Sequence, residues 1–208
     1  MSKLYPIMLQ LDGKKVVVVG GGRVAERKLT GLLETGAQII VVSPDATEVI
    51  RAQAIEGKIN WQSRSFEKTD LKEAFIIFAA TNDPQLNQAV KQAAEPHQLI
   101  AIADDPEGSD FHVPAHVQRG RLSITVSTSG ASPILAKQIR DHLEEQFDQT
   151  YEEYLEFLYD KRKWILKQIK DVSLKNKLLS ALVSSEFLTS TDREADFKKI
   201  YEAAADTV

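Results

Sequence analysis

The 208-residue chain contains no cysteine, which excludes disulfides, thiolate metal sites, iron–sulfur clusters and a cysteine nucleophile. This absence is consistent with a reducing cytoplasm, where we expect the protein to act. No apolar run approaches the roughly 20 residues that a membrane-spanning helix needs, and the N-terminus lacks a signal-peptide pattern. The formal net charge is -4, so the sequence predicts neither a membrane protein nor a nucleic-acid-binding protein.

Apolar segments typical of strands alternate with segments of helical periodicity over the first 104 residues. The predicted strands are 15–19, 38–42, 59–62, 75–79 and 99–102, and the predicted helices are 24–33, 46–55 and 84–94. Their short connections indicate an α/β fold with a parallel sheet and right-handed crossovers. The β-branched run 16–19 is typical of a strand that is covered on both faces.

Two glycines give more local expectations. Asp12-Gly13 lies between the apolar segment 4–11 and the first strand, a pattern that predicts a β-hairpin. Gly36 is expected to be the C-cap of the first helix.

The pattern changes after Asp104. Segments 111–117 and 122–127 flank a turn near Arg119-Gly120 and predict a second hairpin. Helices are expected near 132–147, 151–170, 174–184 and 192–204. The fold class is therefore a Rossmann-like parallel sheet, followed by a β-hairpin segment and a C-terminal helical domain, with boundaries 1–110, 111–147 and 148–208.

Residues 20–25, Gly-Gly-Gly-Arg-Val-Ala, fit the dinucleotide fingerprint with alanine at its third small position. Gly20 permits the tight turn after the strand, Gly22 lets the backbone approach a pyrophosphate, and Ala25 lets the helix pack closely. The phosphates are then expected over the helix N-terminus, beside Arg23 and Val24. A glycine triplet can also be only a structural turn, but here it follows an apolar strand and opens an amphipathic helix.

The ends of the second and fourth strands supply further cofactor candidates. Ser43, Pro44 and Asp45 follow the second strand, where an acid or a hydroxyl commonly binds the adenine ribose. No arginine directly follows Val42 to hold a 2′-phosphate, so the sequence predicts NAD rather than NADP, although Arg23 could change that preference. Thr81 follows the fourth strand within Ala-Ala-Thr-Asn-Asp, a stretch that can also serve as a helix cap.

Several stretches together resemble the precorrin-2 dehydrogenases, which form the dehydrogenase and ferrochelatase part of siroheme synthases. The most specific are Val-Ala-Glu-Arg-Lys at 24–28 and Ser-Thr-Ser-Gly-Ala-Ser-Pro at 127–133, with further matches at 5–6, 78–82 and 104–106. The resemblance covers the first 150 residues strongly and the helical tail in outline. One departure is Ala101, where similar sequences often have asparagine.

The resemblance implies NAD-dependent oxidation of precorrin-2 to sirohydrochlorin in siroheme biosynthesis. It also implies a homodimer in which the segment after the Rossmann domain, 111–147, is the dimerisation segment. The length of the chain leaves no room for the methyltransferase module of some relatives, so another protein is expected to supply the substrate. The alternatives are a bifunctional dehydrogenase and ferrochelatase, and a non-catalytic redox sensor that binds a dinucleotide.

Asp104 is the first candidate for the base that accepts the proton lost in this oxidation. It follows the fifth strand on the expected cofactor side of the sheet, and the family resemblance points to the same position. It can also be read as a cap of the turn before Pro106, and the adjacent Asp105 ranks second.

The carboxylate-rich substrate implied by the resemblance requires cations and hydrogen-bond donors. The candidates near the hairpin and the next helix are Ser123, Thr125, Thr128, Arg119 and Lys137, with Arg121 and Arg140 nearby. The arginines can equally be ordinary surface charge. His112 and His116 are four residues apart but are expected on a strand, roughly 13 Å apart, so the sequence predicts no metal site.

Overall fold

The computed structural model describes residues 4–205, and contacts divide the chain into two compact units, of which the first ends at Val113 and the second begins at Pro114. The first unit contains β1 (Lys15–Val19), α1 (Arg23–Thr30), β2 (Gln38–Val42), α2 (Glu48–Ile55), β3 (Asn60–Gln62), a 3-10 helix (Lys68–Leu71), β4 (Ile76–Ala79), α3 (Pro84–Ala93) and β5 (Leu99–Ile102). The predicted strands and helices of this region are thus confirmed, with small shifts at their ends.

The strands of the first unit form one parallel sheet in the order β3-β2-β1-β4-β5. The chain moves outward from β1 to β3 and then crosses to β4 on the other side of β1. The chain order therefore reverses between β1 and β4. In open parallel sheets, the crevice outside the carboxyl ends of such neighbours is where ligands bind.

Both faces of the sheet are covered, as the apolar run in β1 predicted. Val16 and Val18 belong to one core with Ala25 and Leu29 of α1. Val17 and Val19 belong to a second core on the other face, which includes Val90 of α3. Because strand side chains alternate between faces, a strand buried in two cores has to be apolar at every position.

The predicted hairpin at Asp12-Gly13 is wrong. Residues 4–11 form no strand, and the turn is instead closed by the N–H of Lys14, which donates to Leu11 O at 2.9 Å. Gly13 supplies the positive φ of 67° that this turn needs. The physical reason lies in the sheet: β1 pairs with β2 on one edge and β4 on the other, so neither edge can accept a hairpin partner.

The end of α1 also differs from expectation. The helix ends at Thr30 with Gly31 as its C-cap, and Gly36 lies beyond it in a series of turns. Leu32 and Leu33 both donate their N–H groups to Leu29 O, so the chain tightens immediately after the glycine. The low helix propensity of Gly31 accounts for the earlier end.

The second unit contains β6 (Ala115–Arg119), β7 (Leu122–Val126), α4 (Pro133–Gln146), α5 (Thr150–Gln168), α6 (Val172–Leu182), α7 (Ser185–Thr189) and α8 (Arg193–Ala205). β6 and β7 form the expected antiparallel hairpin, and Gly120 in its two-residue loop has a φ of 51°. The strand expected from residue 111 begins only at Ala115. The short helix α7 was not predicted as a separate element.

In the second unit α4 packs on both hairpin strands, and the helices that follow bury a core around Ile165, Leu178 and Leu182. The buried Tyr154 hydroxyl donates to Leu182 O at 2.8 Å and ties α5 to the end of α6. The separation of this region into segments 111–147 and 148–208 stays a prediction. No helix within residues 4–205 is long and apolar enough to cross a membrane.

Candidate functional site

A cleft of about 820 Å³ lies at the carboxyl ends of β1, β2 and β4, where the chain order of the sheet reverses. Its size is within the usual range for ligand pockets. Six of the eight predicted cofactor residues line this cleft: Gly20, Gly22, Ser43, Pro44, Asp45 and Thr81. Phe66, Leu86 and Ala89 add an apolar wall that the sequence did not predict.

The glycines of the fingerprint have different structural tasks. Gly20 has a φ of 124°, and a Cβ atom there would lie 2.7 Å from the carbonyl carbon of Ala80. A Cβ atom on Gly21 would overlap the carbonyl oxygen of Asp45, a close approach that sequence reasoning did not assign. At Gly22 a Cβ atom would meet no protein atom within 4 Å. Gly22 therefore leaves space beside the cleft, as a phosphate-binding backbone requires.

The start of α1 faces this open space. Gly22 is the N-cap and makes no side-chain cap hydrogen bond, so the first N–H groups of the helix have no side-chain acceptor there. Ala25 is fully buried against the sheet, which confirms the close packing expected of the third small position. Arg23 and Val24 lie in the first turn but line a neighbouring groove rather than the cleft.

An ion pair stands at the end of the cleft beside β2. Asp45 is exposed and pairs with Arg51 of α2, whose Nε donates to Ala46 O at 2.9 Å. The guanidinium also lies 4.7 Å from the ring centre of Trp61, which holds the cation in place. The Ser43 hydroxyl donates to Asp45 O at 2.6 Å. Arg51 is six residues from Asp45 in sequence, and sequence reasoning missed it.

Thr81 and Asp104 are linked through Asn87, a residue that sequence reasoning also missed. The Asn87 side chain is almost fully buried and donates to Asp104 Oδ1 at 2.8 Å. It also accepts a hydrogen bond from the Thr81 N–H at 3.1 Å. Asp104 itself is exposed and does not line the cleft. The sequence could have indicated Asn87, because this polar residue lies three positions before Val90 and on the same buried face of α3.

Asp105 is engaged in its own loop. The Gly108 N–H donates to Asp105 Oδ1 at 2.8 Å, and Lys91 lies 3.5 Å from Oδ2. The hydrogen bond from Gly108, with those from Gln88 and Lys91, holds the pKa of Asp105 below its ordinary value. This geometry makes Asp105 a structural carboxylate of the loop and leaves Asp104 as the better candidate base.

The predicted hydroxyl donors of the second unit are not equivalent. Ser123 and Thr125 lie two residues apart on β7, and so share one face of the hairpin. The Thr128 hydroxyl donates to Ser132 O at 3.0 Å and accepts from the Ser132 N–H at 3.1 Å. Thr128 thus shapes the loop before α4, where Ser132 caps the helix.

The predicted cations near the hairpin differ in how far their charge is compensated. Arg119 and Arg140 both pair with Glu144, at 3.3 and 2.9 Å, and Arg121 pairs with Glu156 at 2.9 Å. Lys137 is exposed on α4 and, within the part of the chain that the structure describes, forms no ion pair. Lys137 therefore has the most accessible charge of the set.

The two histidines that were considered as possible metal ligands lie in different surroundings. His116 is on β6, whereas His112 precedes the strand and its Nε2 lies 3.0 Å from Pro106 O. Among the residues that the structure describes, no group of three or more histidine, cysteine, aspartate or glutamate side chains could hold a metal ion.

Comparisons with known proteins agree with this architecture. A family model described as putative NAD(P)-binding matches residues 7–115, and one described as sirohaem biosynthesis protein central matches residues 119–146. The precorrin-2 dehydrogenase of Priestia megaterium is 36% identical over 93% of this chain and 96% of its own length. That of Bacillus subtilis (strain 168) is 37% identical over 77% of this chain and 99% of its own length.

A solved structure gives the same result for the fold. SirC, a precorrin-2 dehydrogenase, is 34% identical and superposes with a TM-score of 0.83 over 96% of this chain and 100% of that one. These matches extend over both compact units, and the fingerprint cleft lies within the region matched by the NAD(P)-binding model. The chain belongs to the precorrin-2 dehydrogenase family.

Proposed function

We propose that this chain oxidises precorrin-2 to sirohydrochlorin in siroheme biosynthesis, with NAD as the hydride acceptor. The observation that carries the proposal is the cleft at the switch point of the sheet, with Gly22 leaving room for a pyrophosphate. The full-length similarity to proteins named precorrin-2 dehydrogenase supports the substrate. Because these relatives carry the dehydrogenase name, the comparisons do not favour the bifunctional alternative.

The oxidation removes two hydrogens from the macrocycle, one as a hydride and one as a proton. A bound nicotinamide supplies the hydride acceptor. The chain supplies the remaining functions: the backbone at Gly20 and Gly22 binds the pyrophosphate, and Thr81 lines the wall at the end of β4. Asp104 accepts the proton, since its carboxylate is accessible while that of Asp105 is held by the Gly108 N–H.

The preference for NAD over NADP rests on charge at the adenosine end of the cleft. Asp45 lines the cleft with an exposed carboxylate, which repels the 2′-phosphate of NADP and can accept hydrogen bonds from ribose hydroxyls. Arg51 would attract that phosphate, but its guanidinium is paired with Asp45 and, unlike the Asp45 carboxylate, does not line the cleft. The balance of these two side chains favours NAD.

The substrate carboxylates are assigned to the hairpin region. We propose that Lys137 supplies an accessible cation, that Ser123 and Thr125 donate hydrogen bonds from one face of β7, and that Thr128 shapes the adjoining loop. Arg119 has a compensated charge and contributes less. Substitution Lys137→Ala is expected to raise the KM for precorrin-2 several-fold and to leave the KM for NAD unchanged.

A homodimer is part of the proposal. The apolar side chains of Ile134, Leu135 and Ile139 on α4 are exposed in the single chain, and an apolar patch of this kind supports self-association. Sedimentation equilibrium of the purified protein tests this point, because a monomer at micromolar concentration would contradict it. Cytoplasmic location stays a prediction from the sequence.

The decisive experiment incubates the purified chain with precorrin-2 and NAD⁺ under anaerobic conditions. We expect equal amounts of NADH and sirohydrochlorin, each followed by its absorption spectrum. Binding of NAD without any turnover of precorrin-2 would contradict the proposed function and favour a redox sensor. Parallel reactions with NADP⁺ compare the two cofactors by kcat/KM.

A further inference from the structure

Asn87 is the most deeply buried polar side chain near the candidate site, with only 1% of its surface exposed. Its Nδ2 donates to Asp104 Oδ1 at 2.8 Å and to Thr81 O at 3.2 Å. Its Oδ1 accepts from the Thr81 N–H at 3.1 Å and from the Thr81 hydroxyl at 2.8 Å. Through its carbonyl oxygen and its NH₂ group, the amide therefore connects Thr81 in the wall of the cleft with Asp104, the candidate base.

The orientation of this amide is fixed by its partners. A backbone N–H can only donate, so the Asn87 atom that faces Thr81 N must be the carbonyl oxygen. The NH₂ group is then directed at Asp104, where it suits an ionised carboxylate, which only accepts hydrogen bonds. The rigid support is α3, whose first turn is capped by Asp83.

We propose that Asn87 is a positioning residue, which holds the Asp104 carboxylate at a fixed position relative to the cofactor cleft. This inference rests on the proposed function, because it assumes that Asp104 accepts the proton of the substrate. The hydrogen bond engages Oδ1, and among the described residues no donor occupies Oδ2. Asn87 therefore selects the rotamer of Asp104 and leaves the second oxygen to receive the proton.

Burial and hydrogen bonds hold the Asn87 amide in one orientation, so it can restrict the rotamer of Asp104. An exposed carboxylate such as Asp104 has several rotamers of similar energy, and one fixed donor restricts it to the productive one. Thr81 lines the cleft at the end of β4 and shares the same amide. The Asn87 side chain thus contacts both Thr81 in the cleft wall and the candidate base Asp104, and so fixes the distance between them.

Substitution Asn87→Ala tests the proposal. We expect kcat for precorrin-2 oxidation to fall about 10–100-fold, since small misplacements of a reacting group cost rates of this order. The KM values for both substrates should change less than threefold. NAD binding, measured by calorimetry, should retain one site per folded chain, which separates loss of positioning from loss of folded protein.

Gln98→Ala is the matched control. Gln98 is also a buried amide of the first unit, and its Nε2 donates to Leu71 O and Ala74 O at 2.5 and 3.0 Å. Both variants are expected to lower the melting temperature, but only Asn87→Ala should lower kcat per bound NAD. An equal fall in kcat in both variants would overturn the positioning role.

A double variant tests whether Asn87 acts through Asp104. In single-turnover assays at high enzyme concentration, Asn87→Ala should remove no further activity once Asp104→Ala is present. Should Asn87→Ala fail to fold, Asn87→Ser keeps a small polar group and the same comparison applies. Losses that add in full in the double variant would refute coupling between the two residues.

The inference and the proposed function fail in different ways. If Asp104→Ala is inactive while Asn87→Ala keeps the wild-type kcat, the positioning role is wrong and the proposed function stands. If Asp104→Ala is fully active, Asp104 is not the base and the inference fails, while the proposed function stands. If the wild-type chain yields no NADH from precorrin-2, the proposed function fails and the inference fails with it.

Discussion

Gly20 packs so closely against Ala80 that a Cβ atom on the glycine would lie 2.7 Å from the carbonyl carbon of Ala80 and would overlap the carbonyl oxygen. This contact joins the ends of β1 and β4 and defines the floor of the cleft. A Cβ atom on Gly22, two residues later, would meet no protein atom within 4 Å. The two glycines therefore predict opposite consequences for substitution.

Gly20→Ala should destabilise the fold, whereas Gly22→Ala should leave the fold intact and weaken NAD binding. Gly20 combines the overlap with a φ of 124°, and such backbone strain alone costs about 1–3 kcal/mol. Thermal unfolding measures the first effect and calorimetric titration with NAD the second. A folded Gly22→Val protein with normal NAD affinity would refute the proposed place of the pyrophosphate.

Asp104→Asn and Asp105→Asn should separate catalysis from loop structure. Loss of a general base costs typically about 10²–10⁴-fold in rate, so Asp104→Asn should lose most of kcat and keep its NAD affinity. Asp105→Asn weakens the loop closed by the Gly108 N–H and should lower the melting temperature with only a small change in kcat. The reverse pattern would transfer the role of the base to Asp105.

The parts that the sequence predicted well are those set by local pattern. The apolar run 16–19 specified a strand in the centre of a sheet because alternate side chains had to be buried on both faces. The glycine fingerprint specified the cleft because its turn, its close approach and its helix start are consecutive in the chain. Six of the eight predicted cofactor residues accordingly line one cleft.

The parts that the sequence did not predict depend on contacts between distant residues. The Asp12-Gly13 hairpin failed because pairing with β2 and β4 occupies both edges of β1, which a local turn signal does not contain. Asn87 and Asp104 are 17 residues apart, and only the sheet order brings the helix to that strand end. The contact between Arg51 and Asp45 spans only six residues, but it depends on where α2 lies relative to the end of β2.

Asp45→Ala should shift cofactor preference toward NADP. The substitution removes the carboxylate that repels a 2′-phosphate and frees the Arg51 guanidinium to bind it. We expect the NADP to NAD ratio of kcat/KM to rise about 10-fold, equivalent to about 1.4 kcal/mol. Glu48→Ala is the control, because Glu48 is an exposed acid three residues after Asp45 that lines the neighbouring groove rather than the cleft. A ratio unchanged in Asp45→Ala would show that Asp45 does not face the adenine ribose.

Asp70 provides a pH-dependent contribution to the stability of the first unit. Burial raises the pKa of its carboxyl, but hydrogen bonds from Arg64 and the Glu67 N–H, with the charges of Arg64 and Lys15, outweigh burial and lower the pKa below the ordinary value. A carboxyl whose pKa is lower in the folded state stabilises the fold above its unfolded pKa of about 3.9. That contribution is lost as the pH falls through the folded pKa.

Asp70→Asn should therefore lower the free energy of unfolding by about 1–3 kcal/mol at pH 7, and the difference from wild type should shrink as the pH falls below about 4. The side chain is only 6% exposed, so solvent cannot replace the lost ion pair. Urea unfolding at pH 7 and at a pH below about 4 measures the effect. The exposed Glu34→Gln is the control and should change the free energy of unfolding by less than about 0.5 kcal/mol. Because Arg64 is 39% exposed and partly solvated, the lower end of the range is expected. A difference between Asp70→Asn and wild type that stayed constant across this pH range would show that the carboxylate charge does not stabilise the fold.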